Sequence, residues 1–289
     1  MIKFVFLFYL KGIIEMLIAE INGNRTAATK GAKGICPFCK SEVVAKCGEQ
    51  RIAHWAHKSV QECDTWHDAE TEWHRMWKNR FPQEWQESIK YDDKTGEKHI
   101  ADVCTENGFV LEFQHSAIKP EERRSREAFY KNMNWIVDGT RLKNDYKRFS
   151  NGFGNPSIVR LFQKIILPDK KHIGNTWEVS FADELFPKNW SDSTVPVVFD
   201  FKGSDETSDE KDLRRFIFCL LPEMNGTHRY VLQIPYQTFI ENAQTGSWFI
   251  FQKRMIDCIQ NVLKRRQSTR MARHFPLYYP PRRGRLPEL

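Results

Sequence analysis

Metal-binding side chains cluster in the N-terminal region, and their spacing constrains its fold more than any other feature of the sequence. Cys36 and Cys39 are separated by two residues, and so are His54 and His57, with Cys63 a little further on. Two such pairs joined by a short β segment are typical of a zinc ribbon. Zn²⁺ takes four of these five side chains and then has no open position for water, so we predict a structural zinc site. The symmetry of the two pairs favours His54 over Cys63 as the fourth ligand.

The composition indicates a folded protein with a polyanionic partner. The 289 residues can form two or three compact units, and 40% of them are hydrophobic. A formal net charge of +7 favours nucleic acid as the partner. Seven cysteines at irregular spacing argue against a secreted disulfide framework. The apolar stretch from Met1 to Leu10 is too short for a membrane span. We therefore expect a cytoplasmic protein without membrane association, in which Met16 is an alternative start.

Changes in sequence texture divide the chain into three predicted regions. Residues 1–63 hold the N-terminal extension and the zinc-ribbon module, residues 64–150 a middle domain, and residues 151–289 a mixed α/β C-terminal domain. The stretch Ser150–Asn155 is predicted to be a linker because it is rich in small and polar residues. The C-terminal domain is expected to bind substrate or a partner through its basic tail. Strands are predicted in this domain at 177–181, 195–201, 216–220 and 230–234, and helices at 235–242 and 249–266.

The middle region alternates between helical and strand periodicity in the order α-β-β-β-α-β. Trp66, Trp73, Trp77 and Phe81 recur at helical spacing, and Pro82 stops that helix. A short apolar strand after the second helix is expected inside the sheet. The predicted elements are a helix at 65–81, strands at 85–91, 98–104 and 109–114, a helix at 120–133 and a strand at 135–137.

The hairpin between the second and third of these strands carries a pair of carboxylates. A three-residue loop at 106–108, with Gly108 in the left-handed conformation, places Asp102 directly opposite Glu112. Strand alternation then puts Gln114 on the same face. Two carboxylates about 5 Å apart repel each other unless a cation lies between them. Oxygen ligands suit Mg²⁺ or Mn²⁺, which can lower the pKa of a bound water and absorb charge on a phosphate.

Both predicted helices of the middle region carry polar residues that fit this site. Glu70 and His74 are four residues apart beside the buried tryptophans, so both can point at one place. Burying polar side chains beside tryptophans is unfavourable unless they meet a polar partner inside the protein. On the second helix, Glu122, Arg126 and Tyr130 form a stripe at the same spacing. The planar guanidinium of Arg126 suits phosphate because it can bind two oxygens at once.

Several segments occur in the order found in one known family. The run IADVCTENGFVLEFQHSAI, followed by EERRSREAFY and WIVDG, resembles the nuclease core of the competence protein CoiA family. The segment ETEWHRMWK resembles the Glu-[Ser/Thr]-x-x-His-x-x-x-Lys signature that opens that core. The similarity covers residues 35–139, about a third of the chain.

This resemblance implies a PD-(D/E)xK restriction-endonuclease-like core within an α/β (α+β) protein. It implies that Asp102 and Glu112 bind the catalytic metal ion and that Glu70 is the carboxylate of the first helix. His74 would belong to the same catalytic site, and Gln114 would occupy the place of the usual Lys. The phosphate-side residues would be Arg126, Tyr130 and Glu122. For the zinc site, the resemblance favours the set Cys36, Cys39, His57 and Cys63.

The sequence therefore predicts an Mg²⁺- or Mn²⁺-dependent deoxyribonuclease with a structural zinc, acting in DNA uptake and recombination or in defence against phage. RNA remains open as a substrate, and a homodimer or a partner protein from the same operon remains open as an assembly. One alternative is a catalytically degenerate nucleic-acid-binding factor, favoured by Gln114, which can hydrogen-bond but carries no charge. A second alternative is an interaction or regulatory protein built on the zinc ribbon, which leaves the buried carboxylates unexplained.

Overall fold

A computed structural model describes residues 15–49, 52–58, 63–64, 66, 71–166, 172–202, 209, 211–224 and 228–274. In this part of the chain the fold is mixed α+β, with two β-sheets and six α-helices. The chain divides into two compact units, residues 1–248 and residues 249–289. Both sheets belong to the first unit.

The first sheet is formed by the N-terminal region and is antiparallel throughout. Its spatial order is β1-β6-β5-β4-β2-β3. Trp55 is fully buried in its core and packs with Met16, Val43 and Phe38. The strands are β1 (Glu15–Met16), β2 (Ile18–Ile21), β3 (Asn24–Ala27), β4 (Lys33–Ile35), β5 (Glu42–Lys46) and β6 (His54–His57).

The second sheet has nine strands in the order β11-β12-β15-β14-β13-β10-β9-β8-β7. Two of its pairings, β9 with β10 and β10 with β13, are parallel, and the others are antiparallel. The strands are β7 (Gln86–Tyr91), β8 (Lys98–Cys104), β9 (Val110–Gln114), β10 (Met133–Asp138), β11 (Val159–Ile166), β12 (His172–Val179), β13 (Val197–Asp200), β14 (Phe216–Leu220) and β15 (Arg229–Pro235).

The helices are α1 (Glu72–Lys78), α2 (Pro120–Tyr130), α3 (Asp145–Phe153), α4 (Ala182–Leu185), α5 (Tyr236–Gln244) and α6 (Ser247–His274). Most of α6 lies in the second compact unit. Within the described residues, no helix combines the length and apolar character needed to cross a bilayer.

The elements that carry the candidate site follow the predicted α-β-β-β-α-β order as α1, β7, β8, β9, α2 and β10. The first helix is shorter than its predicted span of 65–81 and begins at Glu72. The hydroxyl of Thr71 accepts the amide of His74 and so caps this helix. Trp73 and Trp77 of α1 pack against the ring of Phe113 in β9, so α1 lies directly over the hairpin.

The predicted linker at 150–155 is wrong for most of its length, because α3 runs through it to Phe153. Phe149 is fully buried and stacks on Phe153 and Phe201, so apolar contacts decide the conformation despite the small polar neighbours. The predicted domain boundary at residue 150 also differs from the structure. The nine-stranded sheet crosses it, since β10 pairs with β13 as well as with β9.

Candidate functional site

A cluster of sulfur and nitrogen ligands lies at one end of the first sheet. Cys36 and Cys39 come from the turn after β4, where the Lys40 amide donates to the Cys36 carbonyl. Lys40 itself takes a positive φ of 61°, which closes the turn tightly. His57 ends β6 and Cys63 follows it along the chain. The four ligand atoms all lie within 4.8 Å of one another.

The dimensions of this cluster fit a tetrahedral zinc ion. The Cys36 and Cys63 sulfurs are 3.8 Å apart, and the Cys39 sulfur is 3.2 Å from Nε2 of His57. Sulfurs at a Zn–S distance of about 2.3 Å on a tetrahedron would be about 3.8 Å apart. The hydrogen bond from Cys63 lowers the pKa of Cys36 to about 5, which favours the thiolate that zinc requires. His54 stands outside the cluster, with Nδ1 2.7 Å from the Ile52 carbonyl oxygen.

The hairpin of β8 and β9 has the register that a three-residue loop requires. The amide of Thr105 donates to the Phe109 carbonyl, and Gly108 has a φ of 74°. Val103 therefore faces Leu111. Continuing the register by one residue, Asp102 faces Glu112, as the loop geometry predicts.

Asp102 and Glu112 interlock across the two strands. Oδ2 of Asp102 accepts the Phe113 amide at 2.9 Å, and Oε1 of Glu112 accepts the Asp102 amide at 3.2 Å. Each remaining oxygen meets a cation: Lys78 Nζ lies 3.0 Å from Asp102 Oδ1, and Arg126 Nη1 lies 3.1 Å from Glu112 Oε2. The pair is thus held in place from both sides, by α1 and by α2.

The two carboxyl groups have opposite electrostatic environments. Burial, reinforced by the nearby Asp102 charge, raises the pKa of Glu112 to about 8. Burial by itself would also raise the pKa of Asp102, but Lys78 and His74 outweigh it and hold that pKa below its usual value. Glu112 therefore keeps its proton to higher pH than an isolated glutamate, and Asp102 loses its proton at lower pH than an isolated aspartate.

The other predicted residues of α1 and β9 lie close by. His74 is buried, with Nε2 2.9 Å from the Phe113 carbonyl oxygen and Nδ1 2.9 Å from the Thr71 hydroxyl. The buried Gln114 donates its amide to the hydroxyl and carbonyl oxygens of Ser116. Glu70 lies outside the described residues.

The predicted stripe on α2 also reaches the pair. Arg126 joins Glu112 to Glu122 and donates to the carbonyl oxygen of Trp66. Tyr130 is buried beside Trp66, and burial raises its pKa well above the usual value.

Two charged residues of this site are absent from the predicted set. Lys78 closes α1 with its side chain only 1% exposed, between Asp102 and Glu87. It falls four residues after His74, inside the segment ETEWHRMWK, so helical spacing could have identified it. Glu87 has a φ of 46° inside β7, a left-handed conformation that the alternation of residues along a strand does not predict.

A further acidic residue joins the metal cluster to the strand of Asp102. Asp64 follows Cys63 directly, and its carboxylate accepts the amide of Ile100 in β8 and pairs with His99. Lys98 of the same strand donates to the carbonyl oxygen of Phe38, between the ligands Cys36 and Cys39. Hydrogen bonds therefore connect the Cys/His cluster to the strand that carries Asp102.

Comparison with known proteins gives one match. No curated protein and no solved structure matches the chain. Residues 21–65 match the family model described as competence protein CoiA, N-terminal domain. This stretch contains all five predicted zinc-ligand candidates and Asp64, while the carboxylate pair lies beyond it. The comparisons therefore show that the N-terminal stretch of this chain is similar to the N-terminal domain of competence protein CoiA.

Proposed function

We propose that this protein is an Mg²⁺- or Mn²⁺-dependent nuclease that hydrolyses phosphodiester bonds of DNA, built on a PD-(D/E)xK core. The observation that carries the proposal is the interlocked pair of the buried Glu112 and the half-buried Asp102, held between an arginine and a lysine. A fold gains little stability from two adjacent buried carboxylates, because desolvation and mutual repulsion oppose it. Such an arrangement is favoured where charge is needed for chemistry.

The donor atoms of the pair suit a hard divalent cation. Both side chains offer carboxylate oxygens, which are the ligands that Mg²⁺ and Mn²⁺ prefer. Among the described residues, each of the four oxygens has a hydrogen-bond or ion-pair partner, and a carboxylate oxygen can accept more than one bond. A bound cation would offset the burial and the Asp102 charge that raise the pKa of Glu112. It would also supply an activated water and charge neutralisation at a phosphate.

The surrounding side chains have complementary tasks in this proposal. Arg126 orients Glu112 and places beside the pair a planar guanidinium, the group best suited to recognise a phosphate. His74 fixes the backbone of Phe113, whose amide in turn holds Asp102. Gln114 contributes hydrogen bonds from the same strand, without adding charge.

The Cys36, Cys39, His57 and Cys63 cluster is proposed to hold structural Zn²⁺. Four protein ligands leave no position for water or substrate, so its chemistry is to stabilise the fold. Through Asp64 the bound ion would stabilise β8, the strand of Asp102.

Nucleic acid is the proposed substrate because the chain has a formal net charge of +7 and a helix rich in exposed cations. Basic side chains of α6 can contact phosphates without reading sequence. A CoiA-type N-terminal domain is consistent with a role in DNA uptake and recombination. The exposed or half-buried cations of α6 include Lys253, Arg254, Lys264 and Arg265.

The test is cleavage of plasmid, linear and single-stranded DNA, and of RNA, with Mg²⁺ or Mn²⁺. Asp102→Asn should reduce cleavage at least about 100-fold, because it removes a metal ligand while nearly preserving shape. Asp93→Asn, an exposed residue in the turn between β7 and β8, is the matched control and should cut like the wild type. The proposal fails if the wild type cuts no substrate with either metal, or if Asp102→Asn cuts equally well.

A second candidate function is nucleic-acid binding without catalysis. It is favoured by the cations beside the two carboxyl groups, Lys78 at Asp102 and Arg126 at Glu112, which already surround the pair without a metal ion. The uncharged Gln114 favours it as well. Tight, salt-dependent DNA binding by a wild-type protein that cuts nothing would identify this function.

A further inference from the structure

Three carboxylates stand in one row across adjacent strands of the candidate site. In the pairing of β7 with β8, Gln86 faces Val103 and Ser88 faces Ala101, so Glu87 lies at the position facing Asp102. Asp102 in turn faces Glu112 on β9 by the hairpin register. Three like charges at neighbouring positions are unfavourable unless cations lie among them.

One ammonium group serves two members of this row. Lys78 Nζ lies 3.0 Å from Asp102 Oδ1 and 3.5 Å from Glu87 Oε1. The lysine side chain is 1% exposed and that of Glu87 is 4% exposed, so both charges are almost completely desolvated. Their attraction is therefore much stronger than that of a surface ion pair.

Glu87 is anchored independently by the first sheet. Its two carboxylate oxygens accept the amides of Leu17 and Ile18, at 2.9 and 3.0 Å. To reach them, Glu87 adopts a positive φ, which costs free energy for a residue with a side chain. Its backbone is thus held in a strained conformation that turns a strand carboxylate toward Lys78 and the N-terminal sheet.

We propose that Lys78 and Glu87, anchored on the N-terminal sheet, form a positioning pair that holds the Asp102 carboxylate in the orientation required for metal binding and catalysis. The proposal rests on the nuclease function proposed above and names two residues of its machinery. Lys78 holds Oδ1 while the Phe113 amide holds Oδ2, so the plane of the Asp102 carboxylate is determined at both ends. Neither residue needs to touch the substrate.

The experiment compares Lys78→Met, Lys78→Arg and the double variant Lys78→Met/Glu87→Gln with the wild type. The double variant is included because Lys78→Met alone leaves the buried Glu87 charge without its cation. Lys90→Met, a lysine substitution in β7 outside the site, is the matched control. Folding is checked by near-UV circular dichroism and by the zinc content.

Two readouts separate positioning from a general structural role. The first is the amide resonance of Phe113, whose hydrogen bond to Asp102 should weaken in the double variant, with an upfield shift and faster exchange. The second is kinetic: kcat should fall about 100-fold with KM within about threefold, as expected when a reacting group is misplaced. Lys78→Arg keeps the charge and should restore at least about a tenth of the wild-type kcat.

A folded double variant with an unchanged Phe113 amide and wild-type kcat overturns the proposal, and so does a loss that lies in KM alone. If neither neutral variant folds, Lys78→Arg decides: a folded, inactive Lys78→Arg variant overturns it, and an active one supports it. The nuclease function fails separately, through a wild type that does not cut. In that event the Phe113 amide still tests whether Lys78 and Glu87 orient Asp102.

Discussion

Glu112 gives the sharpest quantitative prediction, because its environment opposes its charge. The side chain is buried, and burial together with Asp102 raises its pKa from 4.5 to about 8. Replacing it with Gln keeps the shape and removes the titration. We expect the metal-free Glu112→Gln variant to be less sensitive to rising pH than the wild type.

Proton linkage gives the direction and size of this pH effect on the free energy of unfolding. Between pH 4.5 and about 8 the unfolded chain has lost this proton while the folded chain keeps it. The folded state therefore binds more protons, and stability falls as pH rises through this window. Each pKa unit corresponds to about 1.4 kcal/mol, so the whole pKa shift of Glu112 corresponds to about 5 kcal/mol of unfolding free energy. From pH 6 to pH 9, the wild type should lose about 3 kcal/mol more than Glu112→Gln.

Urea unfolding of protein dialysed free of Mg²⁺ and Mn²⁺ measures this difference at pH 6 and pH 9. Strong chelators are avoided because they would also strip a zinc site. Glu84→Gln, an exposed glutamate substitution, is the matched control and should follow the wild type. Asp102→Asn removes the repelling neighbour and should shift the window to lower pH. Equal pH dependence of wild type and Glu112→Gln would refute the electrostatic reasoning.

The remaining predictions concern the zinc cluster, a buried aspartate and Gln114. Mass spectrometry of the wild type should detect roughly one zinc per chain, which Cys39→Ser should lose and His54→Ala should keep. Retained zinc in Cys39→Ser would exclude the proposed ligand set. Asp200→Ala should lower the urea unfolding free energy by about 2 to 6 kcal/mol, because it strands the two buried indole N–H groups that donate to Asp200. Gln114→Ala should slow DNA cleavage less than Asp102→Asn does, since it removes hydrogen bonds and no charge, and parallel kinetics of the two variants test this ranking.

Local geometry explains which parts of the site could be predicted from the sequence. The carboxylate register follows from the loop at 106–108, because a turn with Gly108 in the left-handed region admits one pairing of the flanking strands. The Cys36 and Cys39 pair follows from a turn of a few residues. Such short-range features depend on neighbouring residues, and the sequence shows them directly.

Features that depend on residues far apart in the sequence could be identified only in the folded structure. Symmetry of spacing favoured His54, but β6 directs its Nδ1 to a backbone carbonyl and leaves Cys63 beside Cys36. The segment at 150–155 looked like a linker, yet the burial of Phe149 among other aromatic rings favours a helix there. In both cases a long-range contact outweighs the local pattern.

The role of Lys78 shows most clearly what tertiary structure decides. A lysine at the end of an amphipathic helix ordinarily lies in solvent, and a glutamate in a strand ordinarily alternates outward. Packing of α1 over β8 and β9, and of the N-terminal sheet beside β7, brings Lys78, Glu87 and Asp102 into one desolvated cluster. The sequence determines which charges are available. Their pairing depends on tertiary packing, because it is the removal of water that makes these charges interact strongly.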